Sequence, residues 1–144
     1  MSDREIIRSF YDKNVQMESE RLVKHPFEFL ITTTMMDHTI RPGDSILDIG
    51  GGPGAYSLHY AAKGCSVTLV DLSAENVKAA RRTAKARGLK LKAVEGDACT
   101  LDMSVKSQFD HVFLMGPMYH LLTEKERVLA MEQALARLKP GGKV

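Results

Sequence analysis

The sequence has no tryptophan, only two cysteines among its 144 residues, and no apolar run long enough to cross a membrane. A membrane-spanning helix needs about 20 consecutive apolar residues. The charged segment 1–5 is not followed by the apolar core of a signal peptide. Cys65 and Cys99 lack Cys-x-x-Cys spacing, which predicts free thiols in a reducing compartment. We therefore expect a cytoplasmic protein without a membrane partner.

Neither sign of charge dominates, because 20 Lys and Arg residues stand against 18 Asp and Glu residues, a formal net charge of +2. This balance is too mild to indicate nucleic acid as the main partner. A basic stretch runs from Lys78 to Lys92, but it contains no aromatic residue that could stack on a base. A solvated helix surface is the favoured interpretation of this stretch, and an RNA-binding face is the alternative.

The apolar content of 44% and charged content of 26% are typical of a globular protein, and the length suits a single domain, 1–144. From residue 41 onward, short apolar segments alternate with helical patterns. Strands are predicted at about 45–49, 65–70, 91–95 and 109–115, and helices at about 54–63, 74–87 and from 124 onward. Repeated strand–helix units require parallel strands with helices on both faces. The predicted fold class is α/β, a Rossmann-like, doubly wound, mostly parallel sheet.

Residues 1–40 are predicted to form a helical cover over the core at 41–144. Ser2 and Glu5 have the spacing of a capping box. Pro26 suits a first helical turn. One face of an amphipathic helix is predicted after it, consisting of Phe27, Leu30, Ile31, Thr34, Met35 and His38.

The C-terminal residues predict an incomplete sheet. Pro140-Gly141-Gly142 is predicted to end the last helix, and Lys143-Val144 to begin a fifth strand that is not completed. On this interpretation the sheet is truncated at the start of the fifth strand. The fourth strand is then an exposed apolar edge through which the chain can self-associate.

The segment 46–55 joins a buried-strand pattern to a helical pattern through four glycines and a proline. Glycine permits positive φ and a close approach of the backbone to a ligand. Ligands of open parallel sheets bind at the carboxyl ends of the strands. The segment therefore predicts a small-molecule site. Gly50, Gly52 and Ala55 also fit the dinucleotide fingerprint, with Asp71 about twenty residues further on, where an acid binds ribose.

Two residues of this segment argue against a diphosphate ligand. Pro53 has no N–H to donate to a phosphate oxygen. Asp48 adds a carboxylate, which repels phosphate and attracts a cation. S-adenosylmethionine, a nucleoside with sulfonium and ammonium groups, fits better. A nicotinamide-dependent oxidoreductase is the disfavoured alternative.

Three acids, Asp48, Asp71 and Asp97, fall at or near the ends of predicted strands. The carboxyl ends of parallel strands converge on one crevice, so we expect these carboxylates to share it. Asp71 has the position for ribose hydroxyls, and Asp97 for the adenine amino group, with Leu72 and Ala98 flanking the ring. The alternative is that each acid occupies an ordinary turn or helix cap.

Five segments together resemble a known family. They are Asp48-Ile49-Gly50-Gly51-Gly52-Pro53-Gly54, Val70-Asp71-Leu72-Ser73, Gly96-Asp97-Ala98, the stretch 109–121 ending in Gly116-Pro117-Met118-Tyr119-His120-Leu121, and Leu138-Lys139-Pro140-Gly141-Gly142. In this order they strongly resemble the class I S-adenosylmethionine-dependent methyltransferases. The nearest branch is a bacterial one with a Gly-Pro-[Leu/Met]-Tyr-His-Leu segment after the fourth strand.

The resemblance implies a role for each matching position. Gly50, Gly52 and Gly54 would approach the methionine moiety, with Asp48 beneath them. Asp71 would bind the ribose, Asp97 with Ala98 the adenine, and Met115 would lie near the methionine end. The N-terminal helices, around Tyr11 and Arg21, would cover the site. The family's sheet normally has more strands than this sequence predicts.

Methyl transfer is an in-line displacement that depends mainly on alignment of the reactants. Tyr119 and His120, predicted in the loop after the fourth strand, are the candidate catalytic residues, and a histidine can serve as a general base near neutral pH. The alternative is that both side chains only pack beneath the cover. The remaining histidines show no ligand spacing, so no metal site is predicted.

The functional prediction is a methyltransferase that transfers a methyl group from S-adenosylmethionine to a small-molecule acceptor. One alternative is a module that binds S-adenosylmethionine without turnover. The other is the nicotinamide-dependent oxidoreductase.

Overall fold

A computed structural model of the protein describes residues 1–101, 105 and 108–144. Its strands are β1 (Ser45–Ile49), β2 (Ser66–Asp71), β3 (Leu91–Glu95), β4 (Phe109–Phe113) and β5 (Leu138–Lys143). They form one sheet in the order β3-β2-β1-β4-β5, and every pairing is parallel. The predicted doubly wound fold is confirmed. β2 and β3 lie on one side of β1 in the sheet, and β4 and β5 lie on the other, so the order of the strands reverses between β1 and β4. Such a switch point opens a crevice at the carboxyl ends of the strands.

The helices are α1 (Asp3–Lys13), α2 (Val15–Lys24), α3 (Pro26–Met36), α4 (Ala55–Ala62), α5 (Ala74–Ala86) and α6 (Glu124–Leu135), with a 3-10 turn at Pro117–Tyr119. The predicted capping box of Ser2 with Glu5 forms, and Thr123 with Glu126 makes a second one at the start of α6. Among the described residues, no helix combines the length and apolar character that a membrane span requires. Residues 102–104 and 106–107, in the segment between the predicted third and fourth strands, lie outside the described residues.

The sheet is buried on both faces, which is why its strands are nearly continuous apolar runs. Successive strand residues point to opposite faces. Ile46 accordingly packs with Tyr60 and Phe113 in one cluster, whereas Leu47 packs with Val112 in the other. Ile46 and Leu47 are fully buried. Each such side chain contributes about 1.5–3 kcal/mol relative to an exposed position. The two clusters hold the ends of β1, β2 and β4 at fixed positions.

The predictions for the C-terminus were wrong. The helix α6 ends at Leu135, before the Pro-Gly-Gly segment, and residues 140–142 lie within β5. β5 pairs with β4 at Phe109 and His111, with an irregularity between those two pairs. A proline is tolerated on an edge strand, because its missing N–H can face away from the sheet. The sheet is therefore not truncated before a fifth strand. β4 lies inside the sheet, so the predicted self-association through its edge loses its premise.

The predicted apolar face of the α3 helix does not pack against the core. The helix forms, but Phe27, Leu30, Ile31 and Met35 remain 76%, 59%, 58% and 69% exposed. Its buried residue is Thr33 instead. The helical period predicted the helix correctly, but it did not identify the side that faces the protein.

Candidate functional site

A cavity of about 830 Å³ lies at the carboxyl ends of the strands, beneath the helices α1, α2 and α3. Ten of the predicted site residues line it: Asp48, Gly50, Gly52, Asp71, Leu72, Asp97, Ala98, Met115, Tyr119 and His120. Tyr11 and Arg21, expected in the cover, also line it. Gly54 does not; it is buried at the N-terminus of α4, packed near Ala80 and Leu69.

The glycine loop after β1 uses its own N–H groups for internal hydrogen bonds. The N–H groups of Gly50 and Gly51 donate to the carbonyl of Val70, at 2.7 and 3.3 Å. The N–H of Gly54 donates to the carbonyl of Gly51 at 3.0 Å, and the N–H of Gly52 donates to Asp71 at 2.8 Å. Because the remaining residue of the loop is a proline, no N–H within 50–54 is left for a phosphate oxygen. This loop is not a phosphate cradle.

Gly50 also fastens the loop after β1 to the loop after β4. Its φ is +71°, in the left-handed region, and a Cβ on it would lie 2.4 Å from Cγ of Pro117. Only a residue without a side chain satisfies both conditions. The close contact between Gly50 and Pro117 therefore needs a glycine at position 50. It also places the loop after β4 on the cavity wall.

Asp48 is the buried acid of the site. It is 3% exposed and accepts a hydrogen bond of 2.7 Å from the hydroxyl of Ser57. Burial raises the pKa of Asp48 to about 6, although the Ser57 hydrogen bond opposes the shift; nearby Asp71 adds to it. The carboxylate lines the cavity. Its environment favours a cationic ligand, which would replace the solvation lost on burial.

Asp71, at the end of β2, is held in one orientation by three donors. Its Oδ1 accepts from the N–H of Ser73 at 2.9 Å and from the amide of Asn76 at 3.2 Å, and its Oδ2 accepts from the N–H of Gly52 at 2.8 Å. Burial raises the pKa of Asp71, and these hydrogen bonds counteract that shift. A carboxylate has about four acceptor positions, so Asp71 retains capacity for a ligand hydroxyl.

Asp97 lies on the cavity wall but already has a partner from α1. Its Oδ2 is 3.0 Å from Nε of Arg4, and its Oδ1 accepts from the N–H of Cys99 at 2.8 Å. Arg4 also lies 3.4 Å from a carboxylate oxygen of Glu126. The sequence carries no signal for this contact, because it depends on how α1 crosses the ends of the strands.

Tyr119 and His120 stand on the same side of the cavity. Tyr119 is 87% exposed, at the mouth. His120 is partly buried, and its Nε2 is 2.6 Å from the hydroxyl of Tyr11 on α1. The rings of Tyr11 and His120 also meet edge to face, with centroids 5.4 Å apart. The loop after β4 and the helical cover therefore meet at this histidine.

Several further cavity residues were not predicted, among them Glu18, Glu28, Tyr56 and Asn76. Asn76 had a local signal, since it follows the Ser73 cap by three residues, and its N–H donates to that cap at 3.1 Å. Glu18 and Glu28 reach the cavity through the packing of α2 and α3 over the sheet, and Tyr56, on α4, is stacked against Phe29 of α3.

His111 and the two cysteines do not line the cavity. His111, within β4, is buried and 2.9 Å from Asp44. Both cysteines are buried and unpaired. Among the described residues, no group of three or more His, Cys, Asp or Glu side chains is arranged to hold a metal ion.

Comparison with known proteins adds a family to this geometry. Residues 46–142 match a family model described as a methyltransferase domain. The chain is 34% identical over 106 residues to the cypemycin N-terminal methyltransferase of a Streptomyces species, covering 73% of this chain and 42% of that protein. It is 35% identical over 106 residues to the ubiquinone biosynthesis O-methyltransferase of Idiomarina loihiensis, covering 71% of this chain and 41% of that protein.

A solved structure is also similar. It is a SAM-dependent methyltransferase from Thiobacillus denitrificans in complex with S-adenosyl-L-homocysteine, 26% identical with a TM-score of 0.57. The similarity covers 72% of this chain and 41% of that one. The chain thus spans less than half the length of each of these three proteins.

Proposed function

This chain belongs to the methyltransferase domain family, in the class I, S-adenosylmethionine-dependent group, and we propose that it transfers a methyl group from S-adenosylmethionine to a small-molecule acceptor. The observation that carries the proposal is the glycine loop with its two acids. All N–H groups of 50–54 are used internally, and Asp48 is a buried carboxylate on the cavity wall. This combination disfavours a diphosphate and favours a cationic nucleoside.

Each part of the cavity has a proposed role toward the cofactor. Gly50, Gly52 and Gly54 shape the loop at the methionine end, and Asp48 attracts the positive charge there. Asp71 accepts from the ribose hydroxyls through its remaining acceptor capacity. Leu72 and Ala98 flank the adenine, Asp97 accepts from its amino group, and Met115 packs near the methionine end.

For Asp97 this role requires a change at α1. Its Oδ2 is already paired with Arg4, so an adenine amino group must share that oxygen or displace the guanidinium. Both side chains of the pair are about one quarter exposed, at 30% and 22%. Ion pairs of this exposure contribute little to stability, about 0–1 kcal/mol. Exchange of this contact for a ligand contact is therefore inexpensive.

The chemistry requires alignment more than activation. S-adenosylmethionine supplies a methyl group already activated by the sulfonium. The protein holds the acceptor in line with it in a cavity from which water is excluded, and good alignment can contribute about 7–11 kcal/mol. Tyr119 contacts the acceptor at the mouth, and His120 takes the acceptor proton at Nε2 where the acceptor carries one, once the contact of that nitrogen with the Tyr11 hydroxyl opens. Until then this contact of 2.6 Å holds the imidazole ring at the cavity wall.

Titration calorimetry tests the cofactor. We expect micromolar binding of S-adenosylmethionine and S-adenosylhomocysteine, and none of NAD. Asp71→Ala should weaken binding by well over about tenfold, because a buried carboxylate that accepts from hydroxyls is lost. Glu75→Ala is the matched control, since Glu75 lies nearby on α5 but pairs only with Lys78 through its side chain. Binding of NAD, or an unchanged affinity in Asp71→Ala, would overturn the assignment.

Methyl transfer separates an enzyme from a binding module. The protein is incubated with methyl-labelled S-adenosylmethionine and a metabolite extract, and label in an acceptor is measured. Transfer that is lost in Asp71→Ala supports the enzyme. Tight cofactor binding without any transfer would support the module without turnover. The cytoplasmic location and the single-domain organisation remain predictions, the former resting on the two unpaired thiols.

A further inference from the structure

Aromatic side chains line the part of the cavity that the helices α1, α2 and α3 cover. Of the four tyrosines in the chain, Tyr11, Tyr56 and Tyr119 line the cavity, and Tyr60 is fully buried in the core. Tyr56 is held by Phe29, which stacks on it with ring centroids 5.2 Å apart. Rings arranged around a cavity are a general means of binding ammonium groups, through attraction between the cation and the ring face.

The same side of the cavity carries an excess of negative charge. Glu18, Arg21 and Glu28 line it, so two carboxylates share one guanidinium. Nη1 of Arg21 contacts both oxygens of Glu28, at 2.9 and 2.7 Å, and Nε of Arg21 is 3.3 Å from Glu18. Glu18 also lies near Tyr11: burial raises the pKa of that phenol most, and the Glu18 charge is the next largest cause.

The arginines of the cavity are already paired with carboxylates of the protein. Arg21 is taken by Glu18 and Glu28, and Arg4 by Asp97 and Glu126. Among the described residues that line the cavity, these two are the only Lys or Arg side chains. A carboxylate or phosphate on the acceptor would meet net negative charge with no unpaired cation to receive it.

We propose that the acceptor is an amine, which enters between the tyrosine rings and Glu18 and leaves as a more highly methylated ammonium. This inference rests on the proposed methyltransferase function and deepens it. The rings and the carboxylate excess are independent features, and both favour a cation on this side. A phenolate or carboxylate acceptor would gain from neither.

The reaction balances in charge and in electrons. The nitrogen lone pair forms the new N–C bond while the C–S bond breaks, and its electron pair stays on sulfur. Positive charge therefore moves from the sulfur, near Asp48, to the nitrogen, near Glu18. An amine that enters in its ammonium form first gives its proton to His120, which frees the lone pair for the attack. Carboxylates aligned with a developing charge lower the barrier, because they need not reorganise during the reaction.

Binding of choline and of two isosteres, one neutral and one anionic, tests the inference without knowledge of the natural acceptor. The protein is saturated with S-adenosylhomocysteine, and choline, 3,3-dimethylbutan-1-ol and 3,3-dimethylbutanoate are titrated by calorimetry. We expect choline to bind at least about tenfold more tightly than the neutral alcohol of the same shape, and the anion to bind most weakly. Equal binding of choline and the alcohol, preference for the anion, or no binding of choline would overturn the proposal.

A pair of glutamates on the same helix supplies the control. Glu18→Gln should reduce the affinity for choline by about tenfold and leave that for the neutral alcohol unchanged. Glu20→Gln should change neither, because Glu20 pairs with Lys24 and does not line the cavity. An equal effect of both variants would mean that general surface charge, and not the cavity, binds the cation. Failure of S-adenosylhomocysteine to bind would instead contradict the underlying function.

Two sources of amine can be distinguished by methyl transfer. Labelled S-adenosylmethionine is offered with N,N-dimethylaminoethanol, with the peptide Gly-Gly-Phe, with the same peptide acetylated at its N-terminus, and with 4-methylphenol as an acceptor that is not an amine. Label in the small amine indicates a free amine acceptor. Label only in the unacetylated peptide indicates a peptide N-terminus. Label in 4-methylphenol but in none of the amines would overturn the proposal.

Discussion

The two walls of the cavity are built in different ways. The sheet wall, with the loop 50–54, Asp48 and Asp71, stands on β1 and β2, most of whose residues are buried, and is cross-linked by hydrogen bonds of the loop backbone. The helical wall stands on α1 and α2, which contain no buried residue. It is joined to the sheet by polar contacts, including Arg4 with Asp97 and Arg8 with Glu95.

This difference separates two tasks of the protein. A wall that is rigid before binding loses little entropy when the ligand arrives, which suits a cofactor common to a whole family. A wall held by partly exposed ion pairs opens at low cost, which suits the entry of an acceptor and the release of product. The difference between the two walls predicts how strongly substitutions in each of them change the stability of the protein.

The largest effect is expected at Gly50. Gly50→Ala introduces a Cβ into contact with Pro117 at a left-handed backbone position, so it should lower the free energy of unfolding by about 3 kcal/mol or more. The control is Gly88→Ala, because Gly88 has φ +64° and open space around it. Its cost should be only the backbone strain, about 1 kcal/mol. Urea unfolding measures both, and equal costs would show that the sheet wall is not closely packed at this point.

The second largest effect is expected in the pH dependence of the free energy of unfolding, through the buried carboxyl of Asp48. Its pKa in the folded protein, about 6, lies above the ordinary value of an aspartate, 3.8. The stabilising contribution of its protonated form is therefore complete below about pH 4 and is lost as the pH rises through about 6, a change of about 3 kcal/mol.

Asp48→Asn should remove this change, because the amide is neutral and can still accept from Ser57. The advantage of the variant in free energy of unfolding should thus grow between about pH 4 and pH 7. Comparison with the unsubstituted protein cancels the contributions of other groups, such as Asp110, whose hydrogen bonds with Ser45 and Lys139 lower its pKa. An advantage that is independent of pH would show that Asp48 is not buried as an isolated carboxyl.

The smallest effect is expected on the helical wall. Arg8→Ala removes a half-exposed pair with Glu95 and should cost at most about 1 kcal/mol of global stability. Hydrogen exchange should nevertheless become faster in α1 and not in β1, because local opening of the helix requires fewer contacts to break. Lys24→Ala, which removes a pair within α2, is the control and should leave α1 unchanged. Equal acceleration in β1 would mean that the two walls open together.

The sheet wall could be predicted from sequence because its signals are local. The glycines after β1, the acid after β2 and the Ser73 cap each depend on the backbone within a few residues, and strand–helix alternation fixes the parallel order. The helical wall could not be predicted in the same way. The ion pair of Arg4 joins residues 93 positions apart, and Glu18 reaches the cavity only because α2 lies over the sheet.

The sequence by itself determined where the strands end, which loop carries the glycines and which acids converge on one crevice, since these follow from local backbone preference and from the geometry of parallel strands. Only the tertiary structure decided that Pro140-Gly141-Gly142 belongs to a fifth strand, that the apolar side of α3 faces outward, and that Arg4 holds Asp97. The physical reason is the same in each case. An edge strand, an exposed helix face and a long-range ion pair depend on contacts with residues distant in the chain, and a local sequence pattern does not contain information about those contacts.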